Sequence, residues 1–311
     1  MSPAAPLISI GIPTYNRAGS YLKSALESAL AQTYPNLQIL VSDNCSSDDT
    51  EKLVRSYSSD TRLHYHRHDD NIGANANFNF CLDSAIGEYF LLLHDDDLID
   101  PDFIDCCVVK IQQANLASGQ LGLIRTGTRI IDGAGRELYS SSNNSSSDDF
   151  ATFWRDWFAG RTSYYLCSTL FHTRSLRQLG GFGSPHNLLL DLVAAVSISA
   201  QSQWADVAEV KAAFRMHDGE ITAAAKISDW CEDSLDLIER FERAVGDSPS
   251  FMREAHQFIS SMAYRRCYAL TPLTTRLRAM REVHQMLRPE QSPGAYVAER
   301  LRDGFRSKIG I

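Results

Sequence analysis

The first hundred residues repeat one plan three times, and that repetition limits the chain to few folds. A short apolar run, Leu7 to Pro13 (LISIGIP), is followed by a stretch with helical apolar spacing, Tyr21 to Tyr34. A second run, Leu37 to Val41, leads through the polar SDNCSSDD into a helix opened by Ser and Asp caps. A third unit runs from Arg62 to Leu93 and ends in the apolar YFLLL. Short strands joined by helices predict a parallel α/β sheet, with functional loops at the carboxyl ends of the strands.

Each of those ends carries polar residues that a ligand could use. Thr14, Tyr15, Asn16 and Arg17 follow the first strand, Asp43 and Asn44 the second, Asn71 and Gly73 the third. The fourth apolar run passes straight into His94 and three carboxylates, Asp95, Asp96 and Asp97. Close carboxylates repel and raise one another's pKa, so such a cluster costs stability unless a cation or a solvated turn relieves it. Four polar strand ends on one edge describe a pocket for a polar ligand, with a divalent metal at one end.

At 311 residues and 44% hydrophobic content, the chain suits one large domain with an appendage or two domains. No run approaches the ~18 apolar residues of a membrane span, and MSPAAPLISIGIP has neither a basic leader nor a long apolar segment. The expectation is a cytoplasmic protein. Seven cysteines without C-x-x-C spacing suggest buried thiols rather than disulfides or zinc. Residues 264 to 311 hold ten Lys/Arg against four acids, a net +6, which leaves −14 on residues 1 to 263. An acidic body argues against nucleic acid as a partner. The basic tail suits either a solvated helical face or peripheral contact with an anionic membrane at the inner face of the cell membrane.

The series PLISIGIPTYNRAGSYLKSALESALAQTYPNLQILVSDNCSSDDT, then DNIGANANFNFCLDSAIGEYFLLLHDDDLIDPDFI, resembles glycosyltransferase family 2, whose members are nucleotide-sugar-dependent enzymes of the A-type glycosyltransferase fold. LRQLGGF, NLLLDLVAAVSIS and FRMHDGEIT are similar, in order, to the family's acceptor-side motifs. The resemblance implies a Rossmann-like, mostly parallel α/β sheet flanked by helices, with a C-terminal helical appendage. It implies a donor half at 1–115, an acceptor half at 116–225 and a helical region at 226–311.

The site residues follow from the same resemblance. Pro13, Thr14, Tyr15 and Arg17 would lie along the nucleotide, with Asn71 and Asn79, and Asp43 would accept the imide N–H of a uracil or thymine. Read without the resemblance, Asp43 is a helix cap. Counting back from Pro101 makes Asp96 the principal ligand of Mn2+ or Mg2+, places His94 where relatives have an acid, and assigns Asp95 to the ribose or a water-mediated metal contact. Asp95 and Asp97 both stay open as the second acid. His217 would bind the metal or diphosphate, and Arg215 either assists it or is a surface arginine. Asp191 would be the general base of an inverting transfer to a glycan or lipid-linked acceptor, although Leu190 stands where the family has a first acid. Two other readings remain: a nucleotidyl or phosphosugar transferase, and a sugar-nucleotide-binding or scaffold protein with impaired catalysis.

In the middle of the chain, Ser140 to Asp149 reads as a polar loop and Phe150 to Gly160 as an aromatic-rich helix, suited to packing or to an acceptor groove. From 228 onward, segments 229–246, 250–269, 273–287 and 293–306 read as helices.

Overall fold

The computed structural model describes residues 5–116, 120–143, 149–217, 225–290 and 292–298. They divide into two compact units. The first comprises residues up to Gly183 together with Ala194–Gly219, and the second Ser184–Val193 with the chain from Glu220 onward.

The first unit is built on a nine-stranded sheet. Strands β1 (Ile8–Thr14), β2 (Leu37–Asp43), β3 (Leu63–Arg67) and β4 (Tyr89–Leu92) run parallel, alternating with helices α1 (Leu22–Leu30), α2 (Thr50–Arg55) and α3 (Ala74–Asp83). After the two-residue β5 (Leu98–Ile99) come α4 (Phe103–Leu116), β6 (Leu121–Ile131), β7 (Glu137–Ser141), α5 (Phe150–Phe158), β8 (Thr169–His172), α6 (Thr173–Gln178), α7 (Leu190–Ser199) and β9 (Gln203–Arg215). Their order across the sheet is β3-β2-β1-β4-β8-β6-β9-β5, and β7 pairs with β6. β6 pairs with β8 through Leu123–Arg125 and with β7 through Thr128–Ile131, while β9 follows its other side in parallel.

The parallel strands are apolar because both faces are covered. Ile8, Ile10, Ile12, Ile39, Val41, Tyr89 and Leu91 are fully buried in one cluster with Leu22, Leu26 and Ala29 of α1 and Phe103, Ile104 and Cys107 of α4. Gly11 admits the other layer, since a Cβ there would stand 2.7 Å from Cys81 Cβ of α3 and 2.9 Å from the Phe90 ring. The buried Arg125 on β6 is paired bidentately with Asp206 on β9, at 2.9 Å for each bond, and lies 4.0 Å from the Phe153 ring centre. Helix α5 therefore serves packing: Phe153 and Trp154 are buried, and Trp154 Nε1 donates to Ser199 Oγ at 3.1 Å.

The second unit contains α8 (Ile227–Val245), α9 (Pro249–Cys267), α10 (Leu273–Leu287) and a helical segment at 293–298. Trp230, Ser234, Leu237 and Phe241 bury one stripe of α8 at helical spacing. Gly246 (φ +60) ends that helix, and Pro249 opens the next at a position where no N–H is needed. Cys231, Tyr264, Cys267, Met280, Val283 and Leu287 form its core. Part of the expected helix 293–306 lies outside the described residues, as do 144–148 of the polar loop and Asp218 and Glu220 of FRMHDGEIT.

Candidate active site

The carboxyl ends of β1, β2 and β4 form one rim. In-register pairing brings Thr14 beside Asp43, and Leu93 N donates to Gly11 O, so the loops after these strands leave the sheet side by side. The β1 and β2 loops are latched together. Asn16 N donates to Ser46 Oγ at 2.8 Å, Ser47 N donates to Asn16 Oδ1 at 2.8 Å, and Ala18 N donates to Asp48 Oδ2 at 3.0 Å. Asn16 and Cys45 hold positive φ values of 54° and 65° to make these turns. The β2 and β3 loops are joined likewise: Asn44 Nδ2 donates to Asn71 Oδ1, and Ile72 N donates to Asn44 Oδ1.

Asp43 is fully buried at the end of β2. Its Oδ1 accepts from Ser46 N at 2.8 Å and its Oδ2 from the Tyr65 hydroxyl at 2.6 Å. Burial and this carboxylate push the Tyr65 phenol well above its ordinary pKa. Pro13 and Thr14 are buried, whereas Tyr15 is 47% exposed on the rim. Asn79 stands apart, because its amide is engaged at both ends with Phe182: Phe182 N donates to Oδ1 at 2.9 Å and Nδ2 donates to Phe182 O at 2.8 Å.

The acid triplet forms the turn between β4 and β5, and its members face different neighbours. Asp95 accepts from Thr14 Oγ1 at 2.7 Å and lies 3.9 Å from Arg17 Nε, joining the group expected along the nucleotide. Its pKa is pushed up to about 6, first by burial and also by the Asp96 charge. Asp97 is 1% exposed. Its Oδ1 accepts from Arg215 N at 2.9 Å, while its buried Oδ2 has no hydrogen-bonding N–H or O–H and lies 3.9 Å from His94 Nδ1. Burial and the neighbouring Asp96 raise the Asp97 pKa well above the usual carboxylate range.

Asp96 points to the end of β9. His217 Nε2 lies 2.8 Å from Asp96 Oδ2, and Arg215 Nε donates to Asp96 O at 2.7 Å. Arg215 is not a surface arginine: it is 5% exposed, donates to Asp132 O and covers the Tyr21 ring at 4.5 Å. The His217 ring packs on the same tyrosine at 5.1 Å, and a Cβ on Gly133 would stand 3.1 Å from Tyr21 Oη. One ligand atom each from His94, Asp96 and Asp97 falls within 4.8 Å of the others.

Two carboxylates and an imidazole match the oxygen and nitrogen donors that Mg2+ and Mn2+ accept. The buried Asp97 carboxylate has the Cys167 thiol beside it and no N–H or O–H donor at Oδ2, surroundings that fit a cation better than a solvated turn. Asp95, though in the triplet, faces Thr14 instead. The sequence reading did not count His94 or Tyr21 among the site residues. His94 had one signal, its position in place of the family's first acid; Tyr21 had none. Asp191 lies in the first turn of α7 and belongs to the second unit.

This order of parallel strands, ending in an acid turn capped by a returning strand, is the A-type glycosyltransferase fold. It is shared with TarS of S. aureus, solved in complex with UDP-GlcNAc (TM-score 0.68, 17% identity, 90% of this chain and 81% of that one). It is shared too with the mannosyltransferase PcManGT from Pyrobaculum calidifontis, solved with GDP-Man and Mn2+ (TM-score 0.56, 17% identity, 98% and 81%). Residues 9–178 match the model of glycosyl transferase family 2, and the chain belongs to that family. An uncharacterized glycosyltransferase of Rickettsia typhi is 36% identical over 135 residues, 43% of this chain and 40% of that protein. The GalNAc(5)-diNAcBac-PP-undecaprenol beta-1,3-glucosyltransferase of Campylobacter jejuni is 39% identical over 94 residues, 30% of each. The matched segments thus span 40% or less of these relatives' own length.

Proposed function

We propose that the enzyme moves a sugar from a nucleoside-diphosphate sugar to a hydroxyl of a glycan or lipid-linked acceptor, with inversion, in a reaction that depends on Mn2+ or Mg2+. The observation that carries the metal dependence is the convergence of His94, Asp96 and Asp97, with His217 bonded to Asp96. Asp96 is the principal ligand, with Asp97, His94 and His217 beside it. A bound divalent cation supplies positive charge against the β-phosphate as the leaving group develops negative charge.

The chain's own groups do the rest. Pro13, Thr14, Tyr15 and Arg17 flank the nucleotide, Asp43 and Asn71 lie at the base end, and Asp95 stands between Thr14 and Arg17 at the ribose. Asp191, on the acceptor half proposed at 116–225, takes the acceptor proton. A lipid-linked acceptor is supported by the PP-undecaprenol in the name of the C. jejuni relative. Exposed Leu273 and Leu277 near Arg278 and Arg281 on α10 are the surface that would meet the membrane holding it. No described helix is long and apolar enough to cross a membrane.

Thermal-shift measurements with UDP, GDP, CDP and dTDP sugars, with and without Mn2+, test the donor and metal together. One donor should raise the melting temperature, and more so with Mn2+. A donor response that ignores the metal overturns the metal reading. Anomeric configuration of the product, read by NMR, tests inversion.

A further inference from the structure

The residues that lead into the first turn of α7 are fastened to a single buried carboxylate. Asp233 stands mid-way along α8, fully buried, where an isolated charge would be costly. It is met by four donors from residues 184–189. His186 N donates to Oδ1 at 2.7 Å, while Leu188 N at 2.7 Å, Leu189 N at 3.1 Å and the Ser184 hydroxyl donate to Oδ2. Ser184 Oγ in turn accepts from Leu189 N at 3.4 Å. One residue earlier on α8, Glu232 holds His186 through Nε2 at 2.6 Å.

Three of these donors are main-chain N–H groups of one short turn segment, so the carboxylate holds chiefly backbone. The segment includes Asn187 at φ +60, in the left-handed region that asparagine enters more readily than most residues with a side chain. Two residues beyond Leu189 comes Asp191. Charge-assisted bonds of this kind are about twice as strong as neutral ones. The residues immediately before α7 are thus tied to Asp233 of α8, two residues short of Asp191.

We infer that Asp233 is a positioning residue for transfer: it holds the 184–189 turn so that Asp191 is presented for proton abstraction. The inference rests on the reading of Asp191 as general base. An amide in place of the carboxylate would keep the volume but offer only one accepting oxygen to donors that converge on two.

The test uses the full chain with the donor found by thermal shift and its acceptor. Asp233→Asn should melt cooperatively, lose hydrogen-exchange protection at the His186, Leu188 and Leu189 amides, and lower kcat by roughly 10- to 100-fold, as misplacement of a reacting group does. Donor KM should stay within about twofold. The double variant Asp191→Asn/Asp233→Asn should be no slower than Asp191→Asn alone, because both act through one group. Fully multiplicative losses in the double variant, or unchanged kcat with the amides deprotected, overturn the inference. Should Asp233→Asn fail to fold, Ser184→Ala, which removes one donor, is read by the same criteria. The two readings fail differently. Near-normal transfer by Asp191→Asn sinks the base assignment itself and the inference with it, whereas loss in Asp191→Asn with full activity in Asp233→Asn sinks only the positioning role.

Discussion

His217 Nε2 lies 2.8 Å from Asp96 Oδ2, joining the end of β9 to the acid turn across 121 residues of chain. Both side chains are part-buried, and Arg215 and Tyr21 fix the strand end from which His217 projects. An imidazole held against a carboxylate in this way can share a cation with it, since the neutral ring keeps a lone pair for the metal.

Asp96→Asn and His217→Ala should each remove the Mn2+-dependent tightening of nucleotide binding while leaving the cooperative melt intact. Isothermal titration with and without Mn2+ checks this. An unchanged metal response in Asp96→Asn would refute its assignment as principal ligand.

His94→Ala separates the two ways of completing the cluster. If His94 and not Asp95 accompanies Asp96 and Asp97, the apparent Mn2+ affinity should fall about 10- to 100-fold in His94→Ala and change little in Asp95→Asn. Asp95→Asn should instead weaken nucleotide binding without metal. The reverse pattern would return Asp95 to the metal.

Asp43→Ala should do two things at once. Loss of the acceptor for Ser46 N and the Tyr65 hydroxyl should lower apo stability by about 1–3 kcal/mol. Uridine or thymidine nucleotides should bind more weakly by about 1.5–3 kcal/mol if the carboxylate also accepts the base imide. Tyr65→Phe gives the control, expected to lower apo stability with unchanged affinity. A purely structural Asp43 would leave nucleotide affinity untouched in both variants.

Gly181→Ala should destabilise the first unit by about 1–3 kcal/mol. Gly181 sits at φ +74, and a Cβ there would lie 2.3 Å from Asn79 Oδ1. Urea denaturation measures the loss. A wild-type midpoint would mean that the Asn79 to Phe182 clamp can shift at no expense.

His186 gives a pH-dependent handle on the second unit. Its bond to Glu232 raises the His186 pKa above the ordinary value near 6.5. A raised folded-state pKa means that the pair's contribution is complete below the unfolded value and is lost as pH rises through the folded one. NMR titration of the His186 ring should show a midpoint above the ordinary value that falls back in Glu232→Gln. Identical midpoints in the two proteins would remove the pair from any role in solution.

The three strand and helix repeats were legible because burial on both faces writes continuous apolar runs, and helices write a 3.6-residue period. The strand bounds differ slightly: β2 continues two residues past Val41 to Asp43, which its pairing with Thr14 and Arg67 explains. Helices α8, α9 and α10 were marked by the same period and by the prolines between them. The hydrogen-bond partners were not legible. That Asp95 faces Thr14, that Asn79 clamps Phe182, and that His94 joins Asp96 and Asp97 depend on contacts between residues distant in sequence or on which way a turn points. Nor could the motif at Asn187 to Ser199 show that its first residues belong to the helical unit, because Asp233 lies some forty positions further on.

The cross-bonds between the β1 and β2 loops bear on the thermodynamics of recognition. Asn16 bonds Ser46 and Ser47, and Ala18 N donates to Asp48, without any ligand, so the backbone around Tyr15 and Cys45 is braced by hydrogen bonds of the protein itself. A molecule settling on that rim need not freeze a loop, and it avoids the entropy of ordering several residues, each about 1–2 kcal/mol. Binding there should look like the filling of a rigid mould: fast, with a heat capacity change set by the covered surface alone and no added signature of folding.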